Sequence, residues 1–572
     1  MTESRPGSMT ACAGRSRAFA GLRVVATRLA IASTVVLLWS APQLASQLSD
    51  HNRHYFMWER VDAAWLLLPI LVWACLAVLI SLLVDCSGRL WIKRAFHSVF
   101  LLVCGGGVLT VLVHHLAKLR PYRSPLLGVA EHFGWLVLAV LAGYALRQDR
   151  SRIVGMARTA CLIGSPATLL FAIQLVLGPS YPQRMDCLPI ASDGSGGADG
   201  LRVRAETLAP DVRLASSALP PRDAAEARPS VYWFIFDEWS YERTYRGSDW
   251  PDRFPNLNRL CRQSVVFHNA RAQGTRTEVC VPAMLYGSQL RPVFERGRMG
   301  FRSGDELIPA DRLESVLSKA GKLGYYRALV GFGLPYSQWV GRDLELCRSY
   351  RFFPHARGLP AALKAHATQV AQRSAEPLMK YLVERWLQGA PYMPYYRQLH
   401  IDMRKDVEWL LTQSPPRTFA VIHYILPHKP YLFDAQGNEL PLNPSMTVET
   451  EEAYERHLSC MDIRLGEFLD ALDASGRLDE SLIIVTADHA WRADPLRRSG
   501  LHPVEHVPLI VKLPQRSETL AVHSPFPMHR IAALIEHCLR AEPTARGLAA
   551  WVEQCGSESP AASGQPVARL EH

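Results

Sequence analysis

The sequence predicts a two-part molecule, an N-terminal membrane domain of five helices followed by an α/β domain whose largely parallel central sheet is flanked by helices. Three observations predict it. Between Leu29 and Gly178 lie five long stretches nearly free of charge, each close to the roughly 20 residues that cross a hydrocarbon core of about 30 Å. Beyond Ser230, continuous apolar runs typical of strands buried on both faces alternate with helical patterns, the signature of a parallel sheet with helices on its faces. Finally, 572 residues at 48% hydrophobic content and near-zero mean hydropathy exceed one ordinary domain and average over two solvents.

The expected spans are Leu29–Leu48, Ala63–Val84, Ala95–Ala117, Ser124–Leu146 and Thr159–Gly178. Residues 1–28 form a tail, 179–230 a linker and 231–572 the second domain. The first span is too long, and too closely followed by others, for a cleaved leader. With a cytoplasmic N-terminus, the inside set runs from Arg5, Arg15, Arg17, Arg23 and Arg28 through Arg89, Lys93 and Arg94 to Arg147, Arg150 and Arg152. The outside set is smaller: Arg53, Arg60, Lys118, Arg120 and Arg123. That bias places residues after Gly178 on the far side of the membrane. Glu131, His132, His114 and His115 have two readings: a polar path for a headgroup, or span-end groups reaching the interface.

The net charge of +10 and a pI near 9.0 fit this topology and contact with anionic lipid headgroups. No basic-aromatic motif points to nucleic acid, and no CxxC pair marks a structural zinc site. Seven of the twelve cysteines fall in the exported part: Cys187, Cys261, Cys280, Cys347, Cys460, Cys538 and Cys555. An oxidising compartment permits disulfides among them, without fixing their pairing.

From Leu188 to Ser230 the chain is rich in Gly, Ala, Ser and Pro and reads as a loose connection. Three buried-strand runs follow: Val231–Phe236, Thr418–Leu426 and Ser481–Ala487. Helical patterns at Asp311–Ala320 and Tyr454–Leu472 lie between them. Each strand run ends in acid or histidine: Asp237-Glu238, then His423 and His428, then Asp488-His489. Carboxylates and imidazoles are the donors of zinc and manganese sites, and open α/β sheets gather such groups at strand carboxyl ends. A divalent ion there polarises a phosphoryl or sulfuryl oxygen. The segment Ala361–Trp409 fits no pattern; an acceptor-binding insertion and plain helical packing are both open.

Phe236-Asp-Glu-Trp, Phe254-Pro-Asn-Leu-Asn-Arg-Leu260, Val265-Val-Phe-His-Asn-Ala270, Val485-Thr-Ala-Asp-His489 and His506-Val-Pro-Leu-Ile-Val-Lys512 resemble successive signatures of the alkaline phosphatase and sulfatase superfamily. With membrane spans before them they look more specifically like the membrane phosphoethanolamine transferases and, more loosely, the lipoteichoic acid synthases. The resemblance implies an alkaline-phosphatase-like fold for the second domain and a bacterial inner-membrane enzyme with that domain in the periplasm.

Sulfatases place a formylglycine precursor ten residues before the Gly of an L-T-G pattern. Cys280, in Cys-Val-Pro-Ala, is a decoy for it. Counting back from Gly287 reaches Thr277, which also stands five residues before Pro282, the spacing of the nucleophilic Thr in phosphoethanolamine transferases. Threonine cannot become formylglycine, and Val281 replaces the Arg of the sulfatase pattern, so attack on a phosphodiester through a phosphothreonine intermediate fits better.

By the same resemblance, Asp237, Glu238, Thr277, Asp488 and His489 hold a divalent metal. Zinc is the first choice, with manganese, magnesium or calcium as alternatives. His428 and His502 contact the transferred group or a second metal and could protonate the leaving alkoxide, while His423 and His506 either bind substrate or support the site from the core. The implied reaction moves a phospho-headgroup, such as phosphoethanolamine or phosphoglycerol, from a membrane phospholipid to an envelope glycan or lipid. The alternative is a membrane-tethered phosphate or sulfate ester hydrolase. Departures from the transferase pattern include Gln273 and Ala283 where flanking cysteines are usual.

Overall fold

The computed structural model describes residues 8–48, 57, 60–118, 151–177, 184–186, 228–295, 298–353, 358–374, 392–498, 500, 503 and 505–557. The chain divides into two compact units, one comprising Met1–Ser180 with Pro354–Gly389 and the other comprising Tyr181–Phe353 with Ala390–His572.

In the first unit, four helices are long and apolar enough to cross a membrane: α1 (Ser8–Leu48), α2 (Arg60–Cys86), α3 (Leu90–Lys118) and α4 (Ser151–Leu177). Their apolar windows are Ala20–Ser40, Ala64–Cys86, Leu90–Leu109 and Arg152–Leu170, so the first begins earlier than its sequence expectation. The expected span Ser124–Leu146 lies outside the described residues; four spans, not five, are described.

α1 packs against each of the other three. Small residues allow the approach. A Cβ at Gly107 would stand 3.0 Å from the Leu38 Cβ, and one at Gly164 3.3 Å from the Thr34 Cγ2, the close spacing that packs helices where apolar burial supplies no drive. The Trp39 indole donates to the Val103 carbonyl at 2.9 Å, and Arg28 donates to Ser81 Oγ at 3.0 Å and pairs with Asp85. A further helix, Leu359–Ser374, belongs to this unit and packs on α1, α2 and α3.

The second unit is built on one large sheet. Its strands are β1 (Arg184–Asp186), β2 (Val231–Asp237), β3 (Val265–Arg271), β7 (Tyr326–Phe332), β8 (Leu346–Tyr350), β9 (Thr418–Pro427), β10 (Leu482–Ala487), β11 (His506–Lys512), β12 (Leu520–Val522) and β13 (Phe526–Pro527). A separate antiparallel sheet contains β4 (Arg291–Glu295), β5 (Arg298–Ser303) and β6 (Glu306–Pro309).

The spatial order is β1-β8-β7-β9-β2-β10-β11-β3-β12, with β13 also on β3. The central neighbours β8, β7, β9, β2 and β10 run parallel, and β11 is antiparallel to both β10 and β3. The sheet is therefore mixed and mostly parallel. Every residue of β2, β9, β10 and β11 is buried, as expected of strands covered on both faces.

The three expected strand runs form β2, β9 and β10 within a residue at each end. The expected helix at Asp311–Ala320 is instead a 3-10 turn at Ala310–Arg312 and a helix at Val316–Lys322. The break comes at Ser315, whose hydroxyl accepts from the Ser318 amide at 3.0 Å and caps a new N-terminus. The pattern at Tyr454–Leu472 is the core of a longer helix, Glu451–Ala474, capped by Thr450. Within 179–230, read as linker, residues 184–186 form β1, antiparallel to β8. Among the described cysteines all are free, and Cys261, Cys280, Cys347, Cys460 and Cys538 are buried.

Candidate metal centre and active site

The order of the sheet explains why distant residues meet. β9, β2 and β10 are adjacent and parallel, so their carboxyl ends share one edge. In the β2–β10 register Ala487 stands opposite Phe236, which brings the next residues, Asp488 and Asp237, level. Two antiparallel steps, β10 to β11 to β3, restore the original direction, so β3 ends on the same edge. The helix Thr277–Tyr286 begins shortly after it, with Thr277 in its first turn.

Asp237, Asp488 and His489 converge there, with one ligand atom of each inside a sphere where all lie within 4.8 Å of one another. All three are buried. The His489 Nδ1 lies 3.0 Å from the Ala490 carbonyl; a carbonyl only accepts, so Nδ1 carries the proton and Nε2 keeps its lone pair. That lone pair lies 3.3 Å from Asp488 Oδ2 and 3.9 Å from Asp237 Oδ1, and both of those oxygens are buried without a hydrogen-bond partner. Three electron-rich atoms facing one another in a dry site fit a divalent cation. Burial, followed by the charges of Asp488 and Glu238, pushes the Asp237 carboxyl well above its usual range. Oxygen and imidazole donors suit zinc or manganese.

The Thr277 hydroxyl lies 3.3 Å from His489 Nε2, half-buried at a helix N-terminus, where unsatisfied backbone amides favour negative charge. Cys280 sits one turn further in, 1% exposed, and burial raises its thiol pKa. A buried neutral thiol is no nucleophile.

Glu238, expected to be a metal ligand, is outside this trio. Adjacent residues at a strand end leave on opposite sides. Glu238, held at φ 64° in the left-handed region, instead forms an ion pair with Arg492, and its Oε2 is buried without a partner. Burial opposes its ionisation, but the charges of His428, Arg492 and His489 outweigh burial and hold its pKa at about 2. Of these, Arg492 is the permanent counter-ion, because burial lowers the pKa of His428.

His428 bonds through Nδ1 to the Lys429 carbonyl, leaving Nε2 to accept from Arg492 Nη2 at 3.4 Å. His423 is fully buried on β9, and its Nδ1 lies 3.0 Å from the Phe332 carbonyl and 2.7 Å from the Tyr336 hydroxyl. Burial brings its pKa to about 4 and its Nε2 has no partner. Gly331 makes room for Tyr336, since a Cβ there would stand 2.2 Å from the ring. His506 is turned away from the cluster. Its Nδ1 meets Glu242 at 2.7 Å, its Nε2 meets the His268 carbonyl at 2.9 Å, and its ring stacks on Tyr241 at 3.9 Å. His502 lies outside the described residues.

Sequence reasoning missed Arg492 and the brace behind it. Tyr454 donates to the Glu238 carbonyl at 2.7 Å and accepts from the Ser240 amide at 3.0 Å, while its ring stacks on Trp491 at 4.2 Å. Buried Arg243 joins the loop after β2 to the loop after β10 by its pair with Asp494 at 2.7 Å. The available signal was position: Arg492 follows Asp488-His489 directly in a loop at a strand carboxyl end.

The sequence profile described as Sulfatase matches residues 230–537, more than half of the chain. No curated protein matches it significantly. Among solved structures it is similar to Ps i-CgsB in complex with k-i-k-neocarrahexaose, at 13% identity and TM-score 0.38, over 58% of this chain and 77% of that one. It is also similar to the lipoteichoic acid synthase LtaP from Listeria monocytogenes, at 14% identity and TM-score 0.34, over 55% and 72%. A third is the phosphonate monoester hydrolase of Agrobacterium radiobacter, at 16% identity and TM-score 0.35, over 55% and 74%. The chain belongs to the sulfatase family and is a sulfatase-like hydrolase or transferase.

Proposed function

We propose that this protein is a membrane-bound, metal-dependent transferase that moves a phospho-headgroup from a phospholipid to an envelope glycan or lipid through a phosphothreonine on Thr277. The observation that carries the reading is the pairing of Thr277 with the three-ligand cluster, its hydroxyl 3.3 Å from His489 Nε2 at a helix N-terminus, while Cys280 is buried and protonated. Asp237, Asp488 and His489 would hold the cation, zinc by preference, and it would supply charge neutralisation and a lowered pKa at the attacking hydroxyl.

This chain's own groups divide the rest of the work. Thr277 Oγ forms a bond to phosphorus as the bond to the diacylglycerol oxygen breaks, and the proton lost from the Thr277 hydroxyl passes to that leaving oxygen. An acceptor hydroxyl then attacks phosphorus, and the bond to Thr277 Oγ breaks. His428, neutral with Nε2 as its acceptor atom, suits the second step as base for the incoming hydroxyl. Burial disfavours the resulting imidazolium, which gives its proton to the Thr277 oxygen released in the same step and so restores the hydroxyl. Arg492 is held against Glu238 and His428 by two of its five donors; its side chain is 44% exposed, leaving donors for a phosphoryl oxygen. The membrane helices would keep the catalyst beside a lipid donor, in an inner membrane with this domain in the periplasm.

The purified chain incubated with labelled phospholipid should release diacylglycerol and carry a covalent adduct on Thr277. An adduct that persists in Thr277→Ala, or turnover equally fast without any acceptor, sinks the transferase reading; the second result leaves the ester hydrolase.

A further inference from the structure

Among the described residues, the segment 361–409, which no sequence pattern explained, contributes to two helices of different allegiance. Tyr392–Thr412 packs within the sheet-containing unit, whereas Leu359–Ser374 belongs to the membrane unit. The chain leaves for that helix after β8, whose carboxyl end shares the edge bearing the candidate active site, and it returns before β9.

The packing of Leu359–Ser374 is specific. Ala362 is 2% exposed, and Leu363, Ala365 and His366 are half-buried, while Leu359, Lys364 and Ala367 remain exposed. Spacing of three and four residues puts the covered positions on one face. The covered face is small, with alanines that admit the close approach used between membrane helices. It also has one polar anchor. His366 Nε2 lies 2.7 Å from the Ser40 hydroxyl at the end of the apolar stretch of α1. That hydroxyl donates to the Val36 carbonyl at 2.9 Å, so it accepts from the imidazole N–H. Ser40 is 5% exposed; a buried bond of this kind fixes rotation and register as nonspecific apolar contact does not.

We propose that helix Leu359–Ser374 is a second attachment of the catalytic domain to the membrane domain, made by side-chain packing, in addition to the covalent linker that ends at β2. The proposal rests on reading α1–α4 as membrane spans. Its consequence is that the catalytic domain remains with the membrane after the linker is cut.

A protease site inserted between residues 178 and 183 of the full chain, ahead of β1 so that the β1–β8 pairing stays within the C-terminal fragment, cut in membranes and washed in high salt, tests this. The N- and C-terminal fragments should sediment together and co-elute in mild detergent; release of the C-terminal fragment from a sedimenting N-terminal one overturns the proposal. Uncut protein that fails to sediment would instead overturn the spans. Ala362→Glu combined with His366→Glu should release most of the cut fragment, and full retention counts against the proposal. Independently of that variant's folding, Ser40→Cys with His366→Cys should let a short bis-maleimide join the two fragments above the background of either single variant. Absence of that product overturns the docking.

Discussion

Asp237→Asn should change stability in opposite directions with and without a divalent cation. The ligand atoms of Asp237, Asp488 and His489 lie within 4.8 Å of one another. Two carboxylates at that separation repel by about 3 kcal/mol at an effective dielectric constant of about 20. Asp237 relieves part of this by holding its proton, its pKa pushed well up by burial and by Asp488 and Glu238, so the gain from a neutral amide falls below that ceiling, on the order of 1 kcal/mol. With cation present at about a hundredfold above its dissociation constant, binding stabilises the wild type by about 2.7 kcal/mol, and the amide forfeits most of it. Differential scanning fluorimetry of the full chain in detergent, chelator-treated and zinc-loaded at neutral pH, reads both effects. The variant should melt higher than wild type when stripped and show little zinc-induced shift. A variant that melts lower when stripped, with an undiminished zinc shift, would refute Asp237 as a ligand and the cluster as a cation site.

Arg492→Leu should lower kcat by about a hundredfold or more, as loss of a charge-assisted donor at a transferring group does. Because Glu238 is 1% exposed, loss of its counter-ion leaves a buried carboxylate unpaired and should also cost about 3 kcal/mol of stability; Arg492→Lys should recover activity only in part, because an ammonium lacks the planar fork of donors that spans Glu238 and His428. Cys280→Ala should keep activity within severalfold while Thr277→Ala loses about a thousandfold or more, and the reverse ranking in a turnover assay would reinstate the cysteine. His457, buried with its Nε2 accepting from the Phe433 amide at 3.3 Å, has its pKa lowered by burial from 6.5 to about 3. Above pH 6.5 it is neutral folded or unfolded; from there down to about pH 3 only the unfolded chain gains its proton, so stability falls by up to about 1.4 kcal/mol per pH unit. Melting of His457→Gln between pH 6.5 and 5 should decline less steeply than wild type, and parallel slopes would exclude His457 as a source of acid sensitivity.

Three of the ten strands of the large sheet, β2, β9 and β10, were legible because they are predominantly apolar and buried on both faces, which gives long runs with no polar alternation. Asp237, Asp488 and His489 were legible for a linked reason, since each ends such a run and adjacent parallel strands share an edge. What escaped depends on direction rather than position. Sequence places Glu238 beside Asp237, but a left-handed φ and an arginine 254 residues away decide where its carboxylate goes. His506 starts a strand on the correct edge, yet both nitrogens are already engaged by Glu242 and His268. The helix Leu359–Ser374 escaped because the covered positions described in it are two alanines, one histidine and a single leucine, too weakly apolar to announce a partner. The same weakness bears on function: an alanine face fits only a closely matched surface, so the insertion can settle on α1, α2 and α3 without being a span itself.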